Sequence, residues 1–447
     1  MIATTQTHAL RALAIAGLLT CNACTVGPDY VRPAFDMPPA YKEASSSHAP
    51  LPVPERWWEI YGDSELNALL EQFALQNQSL RAAEARARQA RALTDMARAA
   101  QFPTVAAGGT NDLALVAKWE VDLWGRIRRD VEAKGALAQA SAADLAAVRL
   151  SLQAQLAQTY FLLRVRDAEI RLLQDMAASY ARSLQIARNQ YAAGIIDQTG
   201  IVQAQTQFSA AQVQMHDVRI ARSQLEHAVA VLLGRTPADF SFPIAPLAVK
   251  VPEVPPVLPT DLLERRPDIA AAERRMAAAS AQIGVAKAGS YPSIELFAGV
   301  SINKGLVGGA TAAAPLYNGG APQASASKAV AAYDEAVANY RQTVLDGLRE
   351  VEDNLASLKI LDEAASAQDE AVNGAHESIR IINNQFQAGI VGYLSVAMAQ
   401  AAMVDNERIA LDILARRLVA STTLIKALGG GWQADPANPA AETQPSP

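Results

Sequence analysis

Cysteine is almost absent: Cys21 and Cys24 are the only two in 447 residues. A disulfide framework and a multi-cysteine zinc site are thereby excluded. Histidine is sparse too. His8 and His48 lie near the N-terminus and His376 stands alone. His216 and His227 share a predicted helix but sit about 16 Å apart along it, too far to hold one metal ion. No nucleophile elbow or zinc-type spacing occurs. Glu350 and Glu352 fall beside arginines, as on a solvated helix face. Neither enzyme chemistry nor a cofactor or metal is expected. Aromatic residues make up only 6% of a chain that is half apolar. Alanine carries much of the apolar share, which favours long, closely packed helices over an aromatic-rich core. A net charge of −6 with scattered arginines leaves no nucleic-acid footprint. Past the N-terminus no apolar run is long enough for a transmembrane helix. A membrane role must then come from lipid, from β-strands or from both.

Residues 1–23 read as an export signal. Arg11 precedes the short apolar run Ala12 to Leu19, too short to span a bilayer. A redox pair of Cys21 and Cys24 would want a βαβ setting, and none surrounds it. A lipoprotein signal fits better, with Cys24 as the lipid-bearing first mature residue and small Ala23 before it. Residues 24–63 are proline-rich (Pro28, Pro33, Pro38, Pro39, Pro52, Pro54) and predict an extended tail. A second proline-rich linker covers 235–259, and 433–447 reads as disordered.

What is present is a duplication. Tyr191-Ala192-Ala193-Gly194-Ile195 matches Phe386-Gln387-Ala388-Gly389-Ile390 at an offset of 195 residues. Leu233-Gly234 matches Leu428-Gly429, and Gly125 matches Gly320, at the same offset. Pro103 matches Pro292 at 189. The repeats are 64–234 and 260–432. Each predicts a helix (Ser64 to Ala100; Pro267 to Ala288), then a β-hairpin (104–123; 293–317). A very long helix begins after Gly125 or Gly320, turns at a tip (191–200; 386–396), and is followed by a return helix. Gly108-Gly109, Gly305 and Gly308-Gly309 read as turn positions. From Arg126 to Ala192 a single helix would be about 100 Å long, which demands a coiled coil, solenoid or tube. Two shorter helices stacked end to end have the length to pair with it.

Each tip has an aromatic residue, Ala-Gly and two β-branched residues: Tyr191, Gly194, Ile195 and the acid Asp197 in one, Phe386, Gly389, Ile390 and Val391 in the other. The simplest reading is a glycine-terminated helix. Trp119-Glu120-Val121-Asp122-Leu123-Trp124-Gly125-Arg126 reads as a strand returning through a glycine turn to a helix. Its tryptophans suit a membrane interface, and Pro315 to Gly319-Gly320 holds the equivalent place. Glu264 to Asp268 reads as a helix start, and Gly429 to Trp432 as a helix stop.

Three stretches carry a resemblance: Thr25 to Pro33, Trp119 to Arg126, and Leu258 to Ile294 (LPTDLLERRPDIAAAERRMAAASAQIGVAKAGSYPSI). Together they resemble the outer membrane factors of tripartite efflux pumps, the TolC-like lipoprotein (OprM/NodT) branch, over Gly27 to Trp432. The resemblance implies a mainly α fold with a small β part. Three protomers of four strands each would build a membrane β-barrel continuous with an α-helical barrel. It implies a lipid on Cys24, tips that close the tube and dock a periplasmic adaptor protein, and an RND-type transporter in the inner membrane. Such a channel sits in the outer membrane, extends into the periplasm and exports small molecules such as drugs passively. At Gly200 and Met398 the acidic residue usual in the family is missing. Both hairpins are short for membrane strands of about 9 to 11 residues, so this region is expected to be the least regular. A lipid-anchored helical scaffold that docks partners without conducting is the alternative.

Overall fold

The computed structural model describes residues 25–43, 53–108, 114–247, 249–252, 254, 258–301 and 305–433. Cys24, the expected export signal and the C-terminal segment lie outside them, as do Gly109 and residues 302–304.

In the first repeat the helices are α1 (Ser64–Gln76), α2 (Gln78–Ala99), α3 (Arg126–Ala192) and α4 (Gln198–Leu232). Strands β1 (Thr104–Gly108) and β2 (Ala114–Val121) come between α2 and α3. In the second, a short α5 (Leu262–Arg265) precedes α6 (Pro267–Ala288), β3 (Ser293–Ser301) and β4 (Gly305–Ala313). Then come α7 (Ala321–Gln387) and α8 (Tyr393–Ala427). The bounds of α2 and α6 differ by 189 residues, and those of α3/α7 and α4/α8 by 195, to the residue. Pro322 lies in the first turn of α7, where no backbone donor is needed.

The expected single helix from Ser64 to Ala100 is two helices. Asn77 between them is extended (φ −63°, ψ 122°). Its side chain accepts from Leu80 N at 2.8 Å and donates to Leu232 O at 2.7 Å, capping α2 and pinning it to the end of α4. Asp63 caps α1: its Oδ1 accepts from Glu65 N and Leu66 N at 2.9 and 3.0 Å.

The sheet is antiparallel throughout, in the order β1-β2-β3-β4. The hairpins differ from expectation in three ways. β2 stops at Val121, short of Leu123, because Asp122 turns back to cap α3, accepting from Ile127 N and Arg128 N. β4 stops at Ala313, short of Tyr317, where Pro315 has no donor to continue a ladder. Gly308 and Gly309 are not a turn but pair with Ala298 and Phe297 inside β4. A Cβ on Gly309 would meet the Phe297 ring at 2.9 Å, so the ring takes the space a side chain would need. Among the described residues β1 is the shortest strand: five residues pair there, against nine in each strand of the second hairpin.

α3 is the spine, packed against α2 and α6 near the sheet and against α4 and α8 further away. Among the helices α7 packs mainly on α6 and α8. Of two helices equal in length, α3 buries 25 residues and α7 six, so one long face of α7 is unpartnered. The main core lies halfway down, where Trp57, Phe73, Phe161, Leu163, Leu418 and Ile425 meet. No described helix is long and apolar enough to cross a membrane.

Candidate functional site

Both tips are complete helix stops of one kind. Gly194 (φ +71°) donates to Tyr191 O at 2.9 Å and Ile195 N donates to Gln190 O at 2.8 Å. Gly389 (φ +73°) and Ile390 repeat these bonds to Phe386 and Gln385 at 3.0 and 2.9 Å. This motif usually tucks its apolar residue against the helix. Here the facing positions are glutamines, and Ile195 and Ile390 remain 70% and 72% exposed. The tips then differ. Asp197 caps α4, its Oδ1 accepting from Gly200 N at 3.3 Å, whereas Gly392 stands in its place before α8 and has no side chain to cap. Tyr393 joins the two turns. Its ring packs on Phe386, it borders the small cores of both tips, and its hydroxyl donates to Gln207 at 3.4 Å. Sequence reasoning missed Tyr393, because its repeat counterpart is Gln198. Val391 is half-buried beside it.

At the other end the strand–helix junction is fastened by its tryptophans. Trp119 Nε1 donates to Gln101 O at 3.0 Å, and Trp124 Nε1 donates to Pro292 O at 2.7 Å while its ring stacks on Tyr291. Gly125 (φ +75°) leads into α3, and a Cβ there would lie 2.7 Å from Thr25. The second junction is open: Gly319 and Gly320, at φ +65° and +82°, have nothing within 4 Å, and Leu316 and Tyr317 are almost fully exposed.

Residues 25–43 form neither helix nor strand, and they are docked. Val26 N donates to Trp124 O at 3.1 Å. Gly27 (φ +110°) passes so near Gly284 that a Cβ would stand 2.5 Å from its Cα. Asp29 pairs with Arg129 at 2.6 Å. Tyr30 donates to Glu273 at 2.5 Å, and burial, then that bond, push its hydroxyl well above the usual range. Lys42 N and Glu43 N donate to the Glu352 carboxylate at 2.8 and 3.1 Å. The residues after Cys24 thus begin at the junction and run along α6 and α7.

An ion cluster holds the middle. Asp167, fully buried, accepts from Arg164 and from Arg222, each at 2.7 Å. Arg222 also pairs with Glu226 at 2.8 Å, and Arg164 pairs with Glu65 and donates to Pro243 O at 2.8 Å. The Arg164 guanidinium lies 4.4 Å from the Phe242 ring centre. Tyr160 donates to Asp63 at 2.6 Å, and burial followed by this bond raises its hydroxyl above the ordinary range. The linker is thereby bonded to α3 and, through Phe242, to Arg222 and Glu226 of α4, while α1 is tied to α3. Among the described residues no three potential ligands gather as a metal site.

The architecture is an elongated helical slab with a small sheet at one end and two turns at the other. The family model for outer membrane efflux proteins matches residues 69–235 and 258–430, one match per repeat. The chain belongs to the outer membrane efflux protein family. It is 28% identical to the pyoverdine export outer membrane protein OpmQ of Pseudomonas aeruginosa, over 94% of this chain and 97% of that one. It is 30% identical to the solvent efflux pump outer membrane protein SrpC of Pseudomonas putida, over 94% and 98%. The solved outer-membrane channel OprN superposes with a TM-score of 0.85 at 27% identity, covering 92% of this chain and all of that one. As a member of this efflux family the chain is an outer membrane channel component of an export system, and the family is one of ducts rather than enzymes.

Proposed function

We propose that three copies of this chain close into one passive duct that spans the outer membrane and continues into the periplasm. The observation that carries this is a pair of open edges. The sheet ends at β1 and β4, and the helical layer ends at α2 and α4 on one side and at α7 on the other. An open sheet edge is not tolerated in hydrocarbon, so four strands need neighbours to close a barrel. The internal repeat supplies the pattern, since β2 meets β3 within the chain as β4 would meet β1 of the next copy.

Cys24 is the lipid site in this reading. Thr25 lies against Gly125 at the strand–helix junction, so acyl chains on the preceding residue would start at the level of Trp119, Trp124 and Tyr291, side chains that favour the membrane interface. The tips, about 100 Å away along α3, dock a periplasmic adaptor that links the duct to an inner-membrane RND-type transporter. The exposed Ile195 and Ile390 support this. The chain carries no nucleotide-binding motif, so energy comes from the transporter. The cargo is a class of small molecules selected upstream. Conductance of the purified, lipidated protein in a planar bilayer tests the reading. Discrete steps are expected, and a membrane-bound trimer that stays silent under every voltage would overturn it in favour of a non-conducting scaffold.

A further inference from the structure

The repeat also dictates what the unpartnered edges meet. α6 packs on both long helices, whereas its counterpart α2 packs on one of them, α3. The α2–α3 contact corresponds to α6–α7. The contact corresponding to α6–α3 is therefore α2 with α7, and in one chain these stand at opposite edges. The seam that exists can be carried onto the missing one by the offsets of 189 and 195. In the existing seam Ala277 and Ala278 lie against Ala136, and Gln282 reaches Asp130 at 3.3 Å. Carried over, Ala277 becomes Arg88 and Ala136 becomes Ala331, with Glu335 one turn along. Gly284 packs on Arg129; carried over it becomes Asp95 facing Ala324, with Lys328, the counterpart of Ala133, one turn along. All four charged residues are exposed in the single chain. Arg88, Glu335 and Lys328 have no ion-pair partner among the described residues, and Asp95 has only the distant Arg98 at 3.6 Å. Because α2 and α7 run in opposite directions, Arg88 faces Ala331 and Asp95 faces Ala324, and each opposite charge, Glu335 or Lys328, lies one turn along α7, a reach that Arg275 and Asp144 already span across the existing seam at 2.5 Å.

We infer that adjacent copies join through two ion pairs, Arg88 with Glu335 and Asp95 with Lys328, where the seam inside the chain has alanine or glycine at the equivalent positions. The inference rests on the assembly proposed above. The occupant of the α2 face is a second copy of this chain, because an anionic surface of another kind would satisfy Arg88 and repel Asp95. Charges at these positions penalise a slipped or foreign neighbour, which alanine packing would not.

The test uses full-length protein from membranes. Native mass spectrometry gives its copy number, and semi-native gels give the temperature at which the assembly dissociates. A monomeric wild type would overturn the assembly itself. With a trimeric wild type, Arg88→Glu and Glu335→Arg should each lower the dissociation temperature, and the double variant should recover most of the loss. Unchanged single variants, or a double variant no better than the singles, would overturn the ion pair and leave the trimer standing. If the reversals fail to accumulate, an Arg88→Cys chain co-expressed with an Ala331→Cys chain, the two facing positions, should form a disulfide-linked pair under mild oxidant, and its absence would overturn the seam.

Discussion

Arg222 and Asp167 form a buried ion pair at 2.7 Å, and 195 residues on, Arg417 and Asp362 form the same pair at 2.5 Å on a partly exposed face. Duplication kept the pair and burial changed its consequence. Asp167 compensates two buried arginines, Arg164 and Arg222. Asp167→Ala should destabilise the chain by about 3–5 kcal/mol, since uncompensated charges remain inside. Asp362→Ala should cost about 0–1 kcal/mol, because a surface pair is screened by water. Denaturant midpoints of the two variants in detergent check the contrast, and equal losses would contradict it.

The tail offers a second contrast, between two glycines with positive φ. At Gly62 nothing lies within 4 Å of a built Cβ, so Gly62→Ala carries only the left-handed penalty of about 1–2 kcal/mol. At Gly27 the Cβ would also strike Gly284 backbone at 2.5 Å. Gly27→Ala should therefore lift the segment from Val26 onward off α6 while leaving the helices intact. Limited proteolysis of residues 25–43 should speed up in Gly27→Ala and not in Gly62→Ala.

The long helices were legible in the sequence because glycines mark their ends: Gly125 and Gly320 at the start, Gly194 and Gly389 just past the finish. Repeat offsets carried the rest of the helical plan. The break at Asn77 was hidden because its cause is tertiary, a side-chain bond to Leu232 O from the far end of α4. Gly308-Gly309 mimicked a turn because sequence alone does not show the Phe297 ring lying across the strand. Prolines marked the tail as lacking helix, but its docking depends on a Gly27–Gly284 approach between residues far apart in the chain. Tyr393 and the Arg164–Asp167–Arg222 cluster, which join elements of different repeats or linkers, left no local signal.

The tips predict a transferable cap. Asp197 satisfies the first turn of α4, and Gly392, already extended at φ −81° and ψ 165°, has the backbone of a capping residue without its side chain. Asp197→Ala should cost about 1 kcal/mol, and Gly392→Asp should stabilise α8 by a few tenths of a kcal/mol, since glycine is itself a tolerable cap. Hydrogen exchange of the amides at the start of each return helix reads both changes, which should have opposite signs.

Ile195 and Ile390 separate stability from docking. Both are apolar, both end a completed helix stop, and both are mostly exposed, so folding gains little from them. Ile195→Asp and Ile390→Asp should shift stability by less than about 0.5 kcal/mol. If these side chains seat an adaptor, each charge would have to be desolvated against an apolar partner surface, and binding should fall steeply. Resistance restored to a deletion strain by the wild-type gene should then be lost in the double variant, although the protein still reaches the outer membrane at normal levels. Site-specific cross-linking from neighbouring Asp197→Cys should lose its adaptor adduct in parallel. Full resistance with an intact adduct would remove the tips from the docking surface and place adaptor contact on the sides of α4 and α8 instead.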